Sequence, residues 1–358
     1  MATSDTIAFA EKLLLLLDQG AYTATYKVAV LLGLIDVCLE QTSREGKAPR
    51  QVACRDLARR VVELYWPQTR PFRGEVVLRQ NSTNQAAVVR LVREFREALG
   101  PMLASPGQAE ILNPDGFRRL LHEVEWKLVQ MPLPRLQVIG REEERFIYDL
   151  SWVGEPTRSS FTSGELDTTI RLRSGVGENL VRLSGLLRPL IQKEWTDRVA
   201  RFNRGHVEEG ELEGFLFGVP RTPPARLRSD LVDLQEGSCF YCRTPLTEAV
   251  EVDHFVPWAR HPDDGIHNLV VADRRCNNSK RHFLAATRHV ERWKGRADDH
   301  GTDLDEIAAF HQWPRNATRT GGAARAIYLR LREDARLWLE RGAFEAPDLG
   351  RLSRILSA

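Results

Sequence analysis

Two pairs of metal-capable residues share one spacing, Cys239-Phe-Tyr-Cys242 and Asp273-Arg-Arg-Cys276. A Cys-x-x-Cys turn lets two thiolates reach one tetrahedral ion, and a second pair at the same interval closes such a site. Here a carboxylate stands where a fourth thiolate is usual. Between the pairs, Glu251 to Val256 and Leu269 to Ala272 read as the strands of a β-hairpin, and Asp273 to about Trp293 reads as a helix. Knuckle, hairpin and helix in that order make a ββα unit of the treble-clef kind. So small a unit buries little apolar surface, and a structural metal is its natural staple.

The same stretch carries a second chemistry. Asp253 offers a carboxylate, and Asn277, in the first turn of the helix, offers an amide oxygen. Both are hard ligands suited to Mg²⁺ or Mn²⁺, with positions left for water and phosphate. His254 brings the side-chain type that exchanges protons with water near neutral pH. Adjacent strand residues point to opposite faces, so Asp253 and His254 call for a local twist or bulge if they serve one site.

Taken together, Asp253-His254, Asn268 in the hairpin, and Cys276-Asn277 followed by Lys280 resemble the HNH endonuclease family over residues 237–294. Ala285 to Trp293 is similar to the helix that follows the motif in some bacterial members. The resemblance does not reach residues 1 to about 225. It implies that His254 is the general base and that Asp253 and Asn277 hold the catalytic Mg²⁺ or Mn²⁺. It implies that Asn268 holds the hairpin loop and orients the histidine, and that Cys239, Cys242 and Cys276 bind a structural Zn²⁺. Asp273 either ligates the zinc, or caps the helix while His282 or another histidine completes the site; weak or absent zinc binding is a third alternative. Lys280, Arg274 and Arg275 on the helix are candidate contacts to the DNA backbone. The implied activity is a metal-dependent endonuclease or nickase that hydrolyses DNA phosphodiesters. The rival is a non-catalytic, zinc-containing nucleic-acid-binding module, which has no need of Asp253, His254 and Asn277 together.

The remainder predicts a mostly helical N-terminal domain with a few short strands, residues 1–225, joined to the ββα-metal domain with flanking helices, residues 226–358. Helical patterns cover residues 4–42 in two pieces, then Arg55–Tyr65, Asn84–Leu99 and Asp115–Val129. Leu136–Ile139 and Arg145–Leu150 suggest a hairpin around Gly140–Glu144. A long pattern from Glu178 to Arg204 contains Pro189, which should kink or divide it. Its basic series (Arg182, Arg188, Lys193, Arg198, Arg201, Arg204) reads as a solvated face ahead of a DNA contact. Gly218 to Pro224 is the clearest linker.

Net charge is only +2 despite 51 Lys and Arg, so phosphate affinity must come from local clustering. The longest apolar run, Val28 to Ile35, is too short to span a bilayer, and the start lacks a secretory pattern. Five cysteines make no disulfide framework, which points to the cytoplasm. The low-charge helical domain suits a partner-binding or sensor role, and by domain layout such an architecture resembles bacterial restriction or antiphage effectors.

Overall fold

A run of five leucines, Leu13 to Leu17, lies in the first helix, and only those at helical spacing from Phe9 turn inward. Helix α1 (Thr3–Gln19) buries Phe9, Leu13, Leu16 and Leu17, and α2 (Tyr26–Glu40) is buried along almost its whole length, as its continuous apolar pattern requires. These elements belong to a computed structural model that describes residues 3–19, 24–74, 76–82, 86–100, 105–152, 154–204, 209–218, 225–247 and 250–358. The chain divides into two units, residues 1–38 with 48–219 and residues 39–47 with 220–358. Residues 219–224 of the expected linker lie outside the described residues. Among the described residues no helix is long and apolar enough to cross a membrane.

In the first unit, β1 (Gln51–Ala53) leads into α3 (Cys54–Tyr65), and α4 (Ala87–Leu99) and α5 (Pro106–Leu112) follow. All three helices pack on α6 (Pro114–Gln130), whose Phe117, Leu121, Val124 and Leu128 are buried. Short strands β2 (Val138–Ile139) and β3 (Glu142–Glu143) pair with each other. The expected partnership of β2 with β4 (Tyr148–Leu150) does not occur. The Gln137 amide accepts from the N–H groups of Ile147 and Tyr148 and donates to the Tyr148 carbonyl, occupying the bonds a strand would make. After α7 (Arg158–Thr162), β4 pairs instead with β5 (Thr169–Leu172), which lies antiparallel between β1 and β4.

The pattern from 178 to 204 becomes α8 (Val176–Arg182) and α9 (Ser184–Phe202), with α10 (Glu209–Phe217) beyond. The break falls at Leu183 and not at Pro189. Pro189 sits exposed in the second turn of α9, where the carbonyl its ring would crowd belongs to Gly185. The basic series is no single face. Arg188 pairs with buried Asp36, which Arg60 also approaches at 3.2 Å; Arg198 pairs with Glu194 at 2.5 Å and Lys193 with Asp197 at 2.8 Å.

The second unit is built on a hairpin. After α11 (Arg228–Leu234), β6 (Val250–His254) pairs with β7 (Leu269–Asp273) in unbroken antiparallel register, from Val250 opposite Asp273 to His254 opposite Leu269. Alternation then sorts Leu-Val-Val-Ala between two cores. Val270 and Ala272 join Phe240, Tyr241, Phe255, Trp293 and Trp338, while Leu269 and Val271 join Leu231, Ile266, Leu304 and Trp313.

The single helix expected from Asp273 to Trp293 is two helices. Helix α12 (Arg274–Lys280) stops at Arg281, whose φ of +48° leaves the helical region, and α13 (Thr287–Asp299) restarts after a buried, extended Leu-Ala-Ala segment. Both cores are completed by α14 (Gly301–Phe310), α15 (Ala317–Tyr328), the hairpin β8 (Leu337–Glu340) and β9 (Ala343–Glu345), and α16 (Leu349–Ser357).

Residues 39–47 belong to this unit through α15. The Glu40 carboxylate accepts from Arg319 at 3.0 Å and lies 3.3 Å from His261, and the carbonyls of Thr42 and Gly46 accept from Arg325 and Arg330. Gly322 of α15 lies so close that a Cβ there would stand 1.7 Å from the Glu40 carbonyl oxygen. Gly322→Ala is therefore expected to lower unfolding free energy by about 1–3 kcal/mol through overpacking against backbone. Gly295→Ala, in α13 with nothing within 4 Å, should be neutral or stabilising by about 0.5–1 kcal/mol. Thermal melts of the two variants check this; equal melting temperatures would mean that residues 39–47 do not pack on α15.

Candidate active site and metal centre

The knuckle begins with Cys239, whose N–H is bonded to the Thr244 carbonyl, and Phe240, whose N–H is bonded to the Val271 carbonyl on β7. This ties the turn to the hairpin. The sulfurs of Cys239, Cys242 and Cys276 lie within 4.8 Å of one another, a group that could hold a metal ion. The Cys276 thiol donates to Cys239, and the N–H groups of Asp273, Cys242 and Tyr241 also point at that sulfur; against the opposing effect of burial they hold Cys239 down at about 5. The same thiol bond, with burial, pushes Cys276 up. A sulfur kept as thiolate is ready to ligate. Arg292 of α13 fixes the backbone here by donating to the carbonyls of Phe240 and Tyr241.

Asp273 is placed differently from the fourth-ligand role expected of it. Its carboxylate accepts from the Arg275 N–H at 2.8 Å and caps α12, while its own N–H donates to the Cys239 sulfur at 3.3 Å. Among the described residues no carboxylate or histidine, His282 included, joins the three sulfurs.

The hairpin register sets the next feature. Asp253 faces the Val270 side, and His254 faces the Leu269 side; the register between them is unbroken by a bulge. On the Asp253 face, Tyr241 and Lys280 both bond the same carboxylate oxygen, Oδ2, at 2.5 and 2.8 Å. Burial, reinforced by the charge of Asp253, holds the Tyr241 phenol well above its ordinary range, so it keeps the proton it donates. Glu251, two residues back on the same face, accepts from Asn277 Nδ2 at 2.7 Å and from Arg274 at 2.9 Å. That bond turns the Asn277 amide so that its oxygen is the atom left available.

Lys280 requires a correction. Expected at the surface against DNA, it is fully buried, paired with Asp253, bonded to the His254 carbonyl at 2.9 Å and set 5.7 Å from the Tyr241 ring centre. Its position in the last turn of a short helix laid across the hairpin drives the ammonium inward, where only a carboxylate can compensate it. Arg274 is exposed but engaged with Glu251, and Arg275 is exposed with no ion pair among the described residues.

On the other face, His254 Nε2 lies 2.8 Å from Asp264 Oδ1, and Trp258 packs near the ring. Asp264 was not among the residues singled out in the sequence; only its place in an Asp-Asp-Gly turn between the motif residues signals it. Asn268 is wholly buried and spends its amide on the loop, accepting from the Val256 N–H and donating to the carbonyls of Val256 and Asp263. Trp293 and Arg296 of α13 anchor the loop's far end by donating to the His267 carbonyl.

Two family matches bear on these units. Residues 6–216, more than half of the 358-residue chain, match the family described as a domain of unknown function, DUF8808. The chain belongs to this family. Residues 241–286, holding Asp253, His254, Asn268 and Asn277, match the HNH endonuclease family. No curated protein matches the sequence. Among solved structures, the type II-C Cas9 enzyme from Actinomyces naeslundii aligns at 14% identity over 83% of this chain with a TM-score of 0.21, too loose a superposition to bear on the fold. This chain covers 39% of that enzyme's chain.

Two outcomes test the placements. Cys276→Ser should release bound metal, whereas Asp273→Ala should cost about 1 kcal/mol of helix capping and leave metal per chain unchanged. Elemental analysis decides between them; loss of metal from both variants returns Asp273 to the ligand set. Lys280→Met strands the buried Asp253 carboxylate and should lower stability by roughly 3–5 kcal/mol. A surface lysine would change it by no more than about 0.5 kcal/mol in a denaturant titration.

Proposed function

We propose that the second unit is a metal-dependent HNH endonuclease or nickase that hydrolyses DNA phosphodiester bonds. The observation that carries this reading is the opposed placement of Asp253 and His254 on adjacent residues of one strand. In-line displacement at phosphorus puts the entering and departing oxygens on opposite sides of the phosphate. A base on one face of β6 and oxygen ligands on the other can flank one phosphate, so alternation supplies what a bulge would destroy.

His254 removes a proton from water. The water oxygen forms its bond to phosphorus as the bond to the 3′ oxygen breaks, and the electron pair leaves on that oxygen, which solvent protonates. The products carry 5′-phosphate and 3′-hydroxyl ends. The donor set fits a hard cation, since Asp253 has its second carboxylate oxygen clear of Tyr241 and Lys280 and Asn277 has its amide oxygen directed away from Glu251. Asp253 and Asn277 would hold Mg²⁺ or Mn²⁺, which when bound supplies Lewis-acid stabilisation of the charge developing on phosphate. Three convergent thiols fit Zn²⁺, which Cys239, Cys242 and Cys276 would hold as a structural staple. Arg275, and Arg274 once released from Glu251, supply backbone contacts to DNA.

We assign target or partner recognition to the first unit, in an effector of bacterial restriction or antiphage defence. Five cysteines in a chain of 358 residues, too few for a disulfide framework, support a reducing, cytoplasmic setting. Supercoiled plasmid incubated with protein and Mg²⁺ or Mn²⁺ should be nicked or linearised, and EDTA should stop it. His254→Ala should abolish cleavage with the fold and metal content intact. Cleavage by that variant at the native rate would refute the mechanism, and DNA binding without cleavage by the native protein would favour the non-catalytic module.

A further inference from the structure

The loop between β6 and β7 leaves His254, runs outward and returns to place one carboxylate on the imidazole. We infer that Asp264 is the positioning residue for His254, fixing the neutral ring as the Nε2–H tautomer so that Nδ1 is the nitrogen that takes the proton from water. This rests on the reading of His254 as the base.

An ionised carboxylate only accepts hydrogen bonds. With Asp264 Oδ1 at 2.8 Å from Nε2, the hydrogen must sit on Nε2, and the lone pair of the neutral ring is then on Nδ1. A base must present its lone pair and hold its orientation, and a carboxylate on the far nitrogen does both. The pair is sheltered, with His254 at 13% and Asp264 at 22% side-chain exposure, so water competes weakly for the bond.

The backbone under Asp264 is pinned from several directions. Its carbonyl accepts from Trp313 Nε1 at 2.7 Å, and the preceding Asp263 carbonyl accepts from Asn268 at 3.0 Å. The Asp263 side chain accepts from the Gly265 N–H and, in a short bond, from Thr320 of α15, while the Ile266 N–H donates to the Pro314 carbonyl. Burial raises Asp263, but His261, Arg319 and these donors outweigh it and hold the carboxyl below its ordinary range, so it stays an acceptor. None of these bonds uses the Asp264 carboxylate. The loop is held by its neighbours, and the carboxylate is left for the ring.

The tautomer reads whether Asp264 holds the ring, and kcat reads whether that hold serves catalysis. In the full chain labelled with ¹⁵N-histidine, with the His254 signals assigned by their loss in His254→Ala, the native ring should be the Nε2–H tautomer in alkaline buffer. Asp264→Ala should convert it to a mixture of tautomers. The same variant should lower kcat for plasmid cleavage by on the order of 10²–10⁴-fold with KM little changed. In a His254→Ala background it should have no further effect. A native Nδ1–H tautomer, an unchanged tautomer in Asp264→Ala, or an unchanged kcat overturns the inference. Should Asp264→Ala fail to fold, Asp264→Ser, too short to reach the ring, is read by the same criteria. If the native protein cuts no substrate, the nuclease reading fails while the tautomer experiment still decides the pairing. If native protein cuts, His254→Ala does not, and Asp264→Ala cuts at the native rate, only the positioning role falls.

Discussion

Side chains alternate along β6, and the second unit is organised around that fact. Because both faces of the hairpin are covered, a slip of one residue would send Val270 and Ala272 into the wrong core and turn Asp253 and His254 over together. Burial of four consecutive apolar residues on β7 therefore fixes more than stability. It fixes which side of the strand carries the Asp253 carboxylate and which carries the His254 imidazole. Each polar group is then finished by its neighbours: Asp253 by Tyr241 and Lys280, Asn277 by Glu251, and His254 by Asp264.

The motif residues were legible in the sequence because their chemistry demands particular residue types at short spacings. Cys239, Cys242 and Cys276 do converge, and the hairpin falls within two residues of its expected ends. The partners were not legible, since each comes from a contact that spacing does not encode. Asp264 reaches His254 only because a long loop folds back, and Tyr241 reaches Asp253 only because the knuckle is sewn to β7. Lys280 was misread for a related reason. Helical position told which way it points relative to Asn277, but not that a hairpin lies beneath that face. In the first unit, a side-chain amide imitating a strand diverted β4 from its nearest neighbour, an event no periodicity announces.

The near-neutral composition also finds an explanation inside the chain. Several of the 51 basic residues are consumed by internal pairing, with Arg60 and Arg188 around Asp36, and Lys280 against Asp253. Buried cations of this kind are costly to desolvate and tolerate no loss of their partner. Such pairing ties cation to carboxylate, and so Asp253 is held inside a small unit by Lys280.

Residues 39–47, at the end of α2, give the second unit a discontinuous inheritance. A module that ended cleanly at one linker could be copied between genes as a cassette and joined to any other domain. This one cannot travel so freely. The carboxylate that meets His261 and Arg319, and the carbonyls that take up Arg325 and Arg330, are encoded on the far side of the other unit's sequence. Recombination that moved residues 220–358 alone would leave those groups behind, so the two units are expected to descend together, with changes in one constrained by the other.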